Sequence, residues 1–141
     1  MKKIEVKIAG AGQMPLYAKP GDAGCDLCYY GDKPLGLKPR EITKVPTGVF
    51  LEIPEGYECQ VRPRSGLALK GIITILGTVD SGYRGEICAI VHNTTSEMFV
   101  LQPFDRISQL VFNKVVQADF ERVITLSESE RGIGGFGHTG I

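Results

Sequence analysis

Val49-Phe-Leu-Glu-Ile-Pro-Glu-Gly-Tyr-Glu-Cys-Gln-Val-Arg-Pro-Arg64 holds two short alternating runs on either side of a Pro-Glu-Gly turn. Val49, Leu51 and Ile53 alternate with Phe50 and Glu52, and Tyr57, Cys59 and Val61 alternate with Glu58, Gln60 and Arg62. A period of two belongs to half-buried strands, whose successive side chains point to opposite faces. Further strands are predicted near Ile4–Ile8, Gly85–His92, Met98–Leu101 and Ile107–Phe112. Turn signals such as Lys19-Pro-Gly, Tyr30-Gly-Asp, Lys38-Pro-Arg, His92-Asn-Thr-Thr and Gln102-Pro-Phe-Asp separate them. Only Ser65–Lys70 has helical character, with Ser65 as the expected N-cap ahead of Leu67, Ala68 and Leu69. Many short strands joined by polar turns predict an all-β sandwich or jelly roll.

A chain of 141 residues suits one domain able to bury a real core. Its formal net charge is zero. It therefore has no basic field to hold a nucleic acid polymer by counterion release, and a small anionic ligand fits better. No apolar run approaches the roughly 20 residues needed to span a bilayer, and the first eight residues alternate charged with apolar side chains, unlike a signal peptide. A cytoplasmic protein without a membrane partner is expected. Cys25, Cys28, Cys59 and Cys88 sit among apolar neighbours and read as small buried hydrophobes; Cys25-x-x-Cys28 lacks the second pair or nearby histidine of a zinc site.

Arg62, Arg64, Arg84, Arg106 and Arg131 stand at strand junctions where surface charge would ordinarily be shared with lysine. Arginine is the residue suited to forked pairing with phosphate or carboxylate. In Arg62-Pro-Arg-Ser-Gly-Leu-Ala68 the alternation stops at Pro63 and Ser65-Gly66 then offers a hydroxyl and free N–H groups; the segment reads as an anion site or as an ordinary strand-to-helix turn. Gly77-Thr-Val-Asp-Ser-Gly-Tyr-Arg-Gly-Glu86 reads as a hairpin tipped by Asp80-Ser-Gly. Asp80 is the only acid between Gly71 and Tyr83, placing it either as a general base toward water in a cleft or as an Asx-turn residue. The glycine-rich end, Arg131-Gly-Ile-Gly-Gly-Phe-Gly-His-Thr-Gly-Ile141, reads as a mobile lid or as a disordered tail. Its Gly-x-Gly-x-x-Gly spacing is no dinucleotide fingerprint, because no helix and no acid follow.

Five segments in order, Ala23-Gly-Cys-Asp-Leu27, Arg62–Ala68, Gly77–Glu86, Asp105-Arg-Ile-Ser-Gln-Leu110 and Arg131–Gly140, span nearly the whole chain. Together they resemble the five motifs of the trimeric dUTP pyrophosphatase (dUTPase) family. The resemblance implies a jelly-roll catalytic body over residues 1–126, one short helix after the second motif, and a flexible lid over 127–141 that covers a site of another subunit. It implies a homotrimer with active sites at subunit interfaces, hydrolysing dUTP to dUMP and pyrophosphate. Asp80 would activate the water that attacks the α-phosphorus. Tyr83 would pack beneath the deoxyribose, and backbone groups around Thr78, Val79 and Cys88 would read the uracil. Arg64, Ser65, Gly66 and Gln109 would hold the phosphates, while Arg131, Phe136, Gly137 and His138 would close over the nucleotide. Asp26 would support the site, and Mg2+ would arrive on the substrate phosphates with no direct protein ligand.

Two positions depart from the family pattern. Leu69–Gly77 is short and lacks the asparagine often found before the third motif, which bears on base preference, and Phe104 stands where a turn glycine is usual. A dCTP deaminase of the same fold would be expected to use a glutamate base and to lack the arginine–phenylalanine tail. A nucleotide sensor on this scaffold would not need Asp80, since a carboxylate near three phosphates weakens binding by repulsion.

Overall fold

A computed structural model describes residues 2–140. Its elements follow in the order β1 (Lys7–Ala9), β2 (Gly24–Cys28), β3 (Leu35–Leu37), β4 (Ile42–Glu52), β5 (Tyr57–Pro63), α1 (Ser65–Ala68), β6 (Ile72–Thr74), β7 (Gly77–Val79), β8 (Glu86–Asn93), β9 (Phe99–Leu101) and β10 (Arg106–Lys114). They form two four-stranded antiparallel sheets, β1-β4-β8-β6 and β2-β10-β5-β7, and a two-stranded ribbon, β3-β9. Spatial neighbours are mostly remote in sequence, as in the crossovers of a jelly roll. No helix among the described residues is long and apolar enough to cross a membrane.

The alternating residues explain the packing. Cys59 and Val61 of β5 face inward with Leu27, Val45, Val91 and Leu110, all within 3% exposure. Burying each aliphatic side chain contributes about 1.5–3 kcal/mol, so the sheets form a rigid frame from which the loops project. Every buried side-chain polar atom among the described residues has a partner.

Strand β4 is longer than the alternation at Val49–Ile53 predicts because a bulge interrupts it. Its register against β8 shifts between Val45 and Val49, and the Glu86 carboxylate accepts the released N–H groups of Thr47 (3.1 Å) and Gly48 (2.8 Å). Gly48 takes a φ of 63° there. The first strand is Lys7–Ala9, set by pairing with Phe50–Glu52, where a strand over Ile4–Ile8 is expected. Strands β2, β3 and β6 are additions to the predicted set.

Two local readings need correction. The N-cap of α1 is Arg64, in extended conformation and without a side-chain capping bond; Ser65 is the first helical residue. Gly77–Glu86 is not a paired hairpin either. Strand β7 pairs with β5 and β8 pairs with β4 and β6, so the segment crosses between sheets.

Candidate active site

One end of the β2-β10-β5-β7 sheet carries a polar pocket of about 680 Å³. It opens where β5 runs out at Pro63 and the chain turns into α1, and its walls include Arg64, Ser65, Gly66, Asp26, Arg106 and Gln109. Strand β10 sits between β2 and β5, with Gln109 opposite Asp26 on one side and Arg62 on the other. Directly opposed residues share a face, which brings motifs distant in sequence to one place.

Asp26 organises the guanidinium groups. Its Oδ1 lies 3.0 Å from Arg64 Nε and its Oδ2 3.4 Å from Arg106 Nη1, with the Asp26 and Arg64 side chains about three-quarters buried. Arg64 also donates to the Arg106 carbonyl at 3.1 Å. Gln109 donates to the Pro63 carbonyl of β5 at 2.9 Å, and the same amide lies against Gly24 of β2 on the other side, where an added Cβ would stand 2.9 Å from the Gln109 Cδ. Gly24 thus leaves room for the amide to span the sheet. At Gly66 a Cβ would meet nothing within 4 Å, so the bare backbone there faces open space. The first-turn N–H groups of α1 have no acceptor within the helix and are available to an anion.

The third motif lies elsewhere. In β7, Val79 pairs with Cys59 and Gly77 with Val61, so Asp80 emerges beside Glu58 while Arg64 leaves the other end of β5. At about 3.3 Å per residue the six-residue offset from Glu58 to Arg64 spans about 20 Å. Asp80 is exposed, and its carboxylate makes no hydrogen bond or ion pair among the described residues. It is therefore no Asx-turn residue, and in the single chain it does not line the polar pocket. The loop after it is tightly built: Tyr83 N–H donates to the Asp80 carbonyl (3.0 Å), Tyr83 Oη to the Glu86 carbonyl (3.1 Å), and Arg84 Nη1 to the carbonyls of Ser81 and Tyr83. The tyrosine ring folds over Gly85, where an added Cβ would lie 2.5 Å from its Cζ. Thr78 is exposed on β7, the edge strand, with its outer backbone groups unpaired by a strand. Val79 is buried at 8% exposure, and Cys88 is half-buried, its thiol pushed up by burial and then by Glu86.

The last strand ends at Lys114, and Val115 N–H donates to the Gly56 carbonyl at 2.9 Å. Beyond it Val116, Phe120, Ile124 and Leu126 are almost fully exposed. Arg131 Nε donates only within its own turn, to the Gly134 carbonyl at 2.8 Å. Phe136 is fully exposed at a φ of 51°, beside Gly137 at 82°, and His138 is also exposed. The structure thus brings Asp26, Arg64, Ser65, Gly66 and Gln109 together and leaves the Asp80 loop and the tail apart from them. Of the remaining arginines, Arg62 bonds to Gln60 Oε1 at 2.9 and 2.7 Å and does not line the polar pocket. A larger groove of about 970 Å³, apolar and lined by Val6, Met14, Tyr17, Leu51, Tyr57 and Phe112 among others, holds none of the candidate residues except that it borders the same first-motif loop. The sequence reading missed Lys70, which lines the polar pocket from the turn just after α1; its closeness to Arg64-Ser-Gly66 in sequence was the available signal.

A jelly roll whose sheet end presents Asp26-braced arginines, bare backbone and an amide has the chemistry to hold an anionic ligand. The chain belongs to the dUTPase family, whose model matches residues 11–140. It is 50% identical over 138 residues to a deoxyuridine 5'-triphosphate nucleotidohydrolase of Chlamydia pneumoniae, covering 95% of each chain. It is 48% identical over 145 residues to the enzyme of that name from Fusobacterium nucleatum, covering 99% of each. The fold matches a solved structure of the Staphylococcus bacteriophage 80alpha dUTPase with dUpNHpp at a TM-score of 0.87 and 24% identity, covering 99% of this chain and all of the other.

Proposed function

We propose that this protein hydrolyses dUTP to dUMP and pyrophosphate as a homotrimer in which each active site is shared between subunits. The observation that carries the shared site is the separation along β5. A general base must lie within about 3 Å of the water it activates, and Asp80 is about 20 Å from the anion pocket of its own chain. This separation supports a pocket in one copy that receives the Asp80 loop of another.

In that arrangement Arg64, Ser65, Gly66 and Gln109 hold the phosphate chain, and Asp26 keeps Arg64 aligned. Asp80 accepts a proton from water as its oxygen attacks the α-phosphorus; the bond from that phosphorus to the bridging oxygen breaks, and pyrophosphate leaves. Positioning and charge stabilisation are the main requirements of such a transfer, and these residues supply both. Tyr83 supports the deoxyribose, while edge-strand backbone at Thr78 and Val79, with Cys88, reads the base. A pocket whose groups pair with uracil leaves some unsatisfied when offered cytosine, at about 1–3 kcal/mol each.

The tail over residues 127–141 closes over the site of another copy, with Arg131 on the terminal phosphate, Phe136 over the base, and Gly137 and His138 adding contacts. Its exposed side chains support this reading, since among the described residues they make no hydrogen bond to the sheet body. Magnesium travels on the triphosphate, whose oxygens suit a hard cation and whose charge the ion offsets. The pocket carboxylates are already engaged, Asp26 by two arginines and Asp22 by the Lys19 N–H at 2.9 Å.

Purified protein is incubated with dUTP, dCTP, dTTP or UTP and magnesium, with pyrophosphate and ammonia measured separately. The expected result is pyrophosphate from dUTP alone and no ammonia. Asp80→Asn should abolish turnover and still bind a non-hydrolysable dUTP analogue; unchanged turnover overturns the assignment.

A further inference from the structure

We propose that Lys70 is the capture residue for the terminal phosphate, a role that rests on reading the polar pocket as the phosphate site. Lys70 lines that pocket together with Arg64, Ser65, Gly66 and Arg106. The other two cations each pair with the Asp26 carboxylate, which offsets one of their two charges. Lys70 has no acidic partner among the described residues. Three cationic side chains in the wall face two carboxylates, Asp22 and Asp26, leaving one positive charge; without Lys70 the wall is neutral.

The lysine is mounted firmly. Its N–H donates to the Leu67 carbonyl at 2.9 Å, and the next residue, Gly71, takes a φ of 78° with its carbonyl accepting from both Thr94 N–H and Thr94 Oγ1 at 2.9 Å. A Cβ at Gly71 would press on Thr94 and Thr95, so the backbone after Lys70 is fixed against the loop that follows β8. Lys70 stands in the turn that leaves the helix, and its side chain lines the pocket together with Gly66. A compact ammonium on a flexible stem suits a phosphate that moves, whereas the braced guanidinium groups suit one held in fixed geometry.

Lys70 should therefore act on encounter and on discrimination between triphosphate and diphosphate more than on bond breaking. Lys70→Gln should raise the KM for dUTP about fivefold, as expected of an exposed charge contact, with kcat changed far less. The rise in KM with added salt should be shallower than in the parent protein. Affinity for inorganic pyrophosphate, measured by calorimetric titration, should fall in parallel, and Lys70→Arg should restore most of it. An unchanged KM and unchanged pyrophosphate affinity in Lys70→Gln, or a fall in kcat alone, overturns the proposal. If the parent protein releases no pyrophosphate from dUTP, the functional reading fails first, whereas normal dUTP turnover with a silent Lys70→Gln sinks only the role of the lysine.

Discussion

Gly85→Ala tests the logic of the Asp80 loop most directly. A Cβ at this position would lie 2.5 Å from Tyr83 Cζ and 3.0 Å from Cε2, whereas ordinary contact begins at 3.4 Å. The ring must retreat by about 1 Å, and its hydroxyl bond to the Glu86 carbonyl goes with it. That bond is worth about 1 kcal/mol. The ring is 47% exposed and free to swing outward, so the fold relaxes around the methyl group. The thermal midpoint should drop by only about 4 °C. Catalysis should suffer more, because a group displaced by about 1 Å beside the substrate can lower kcat/KM by up to about 100-fold. Gly82→Ala is the control, since a Cβ there meets nothing within 4 Å and the backbone is not left-handed; both readouts should stay near the parent values. Steady-state pyrophosphate release and calorimetric melting separate the two effects. Parent-like kcat/KM in Gly85→Ala, or a loss of stability several times larger, would refute the account of how the ring is held.

Asp26→Asn removes the charge that braces Arg64 and Arg106, and should raise the KM for dUTP while costing about 1–2 kcal/mol of stability, read from urea melts. Gly66→Ala should leave the melting temperature intact, because the new methyl enters open space, but should weaken binding of inorganic pyrophosphate. Burial pushes the Cys59 thiol from its ordinary 9.0 up to about 12. The unfolded chain releases this proton first, so the group leaves stability unchanged below about pH 9 and erodes it as the pH climbs from about 9 toward 12. Equilibrium unfolding of Cys59→Ser across that range should show a flatter alkaline limb than the parent protein.

The sheet frame was largely readable because buried and less buried residues alternate through the middle of β5 and along β8. What escaped did so for identifiable reasons. The bulge at Thr47-Gly48 breaks the period of β4, and it is held open by Glu86, a residue almost forty positions away. Strand β6 has three residues within a mostly apolar run, where periodicity cannot mark so short a stretch, and the pairing of β7 with β5 depends on a strand remote in sequence. Gly24–Cys28 contains a glycine and an aspartate, both poor strand formers, and becomes β2 through pairing with β10. At the pocket, the arginine, serine and glycine of Arg62–Ala68 and the amide of Gln109 were legible as types. Their convergence on Asp26 was not, since it depends on which strands lie side by side. Arg62 shows the converse, an arginine of the right type at the right junction that the fold ties to a neighbouring glutamine. Phe104, flagged as an unusual residue for its turn, does adopt the left-handed φ of 68° that a glycine would take more easily.

The length of β5 also bears on inheritance. If grip and scissors of each catalytic unit come from different polypeptides, a cell carrying two defective alleles, one damaged at the Arg64 end and the other at the Asp80 end, would still assemble some intact units. Two alleles damaged at the same end would assemble none, so genetic complementation would follow the geometry of a single strand.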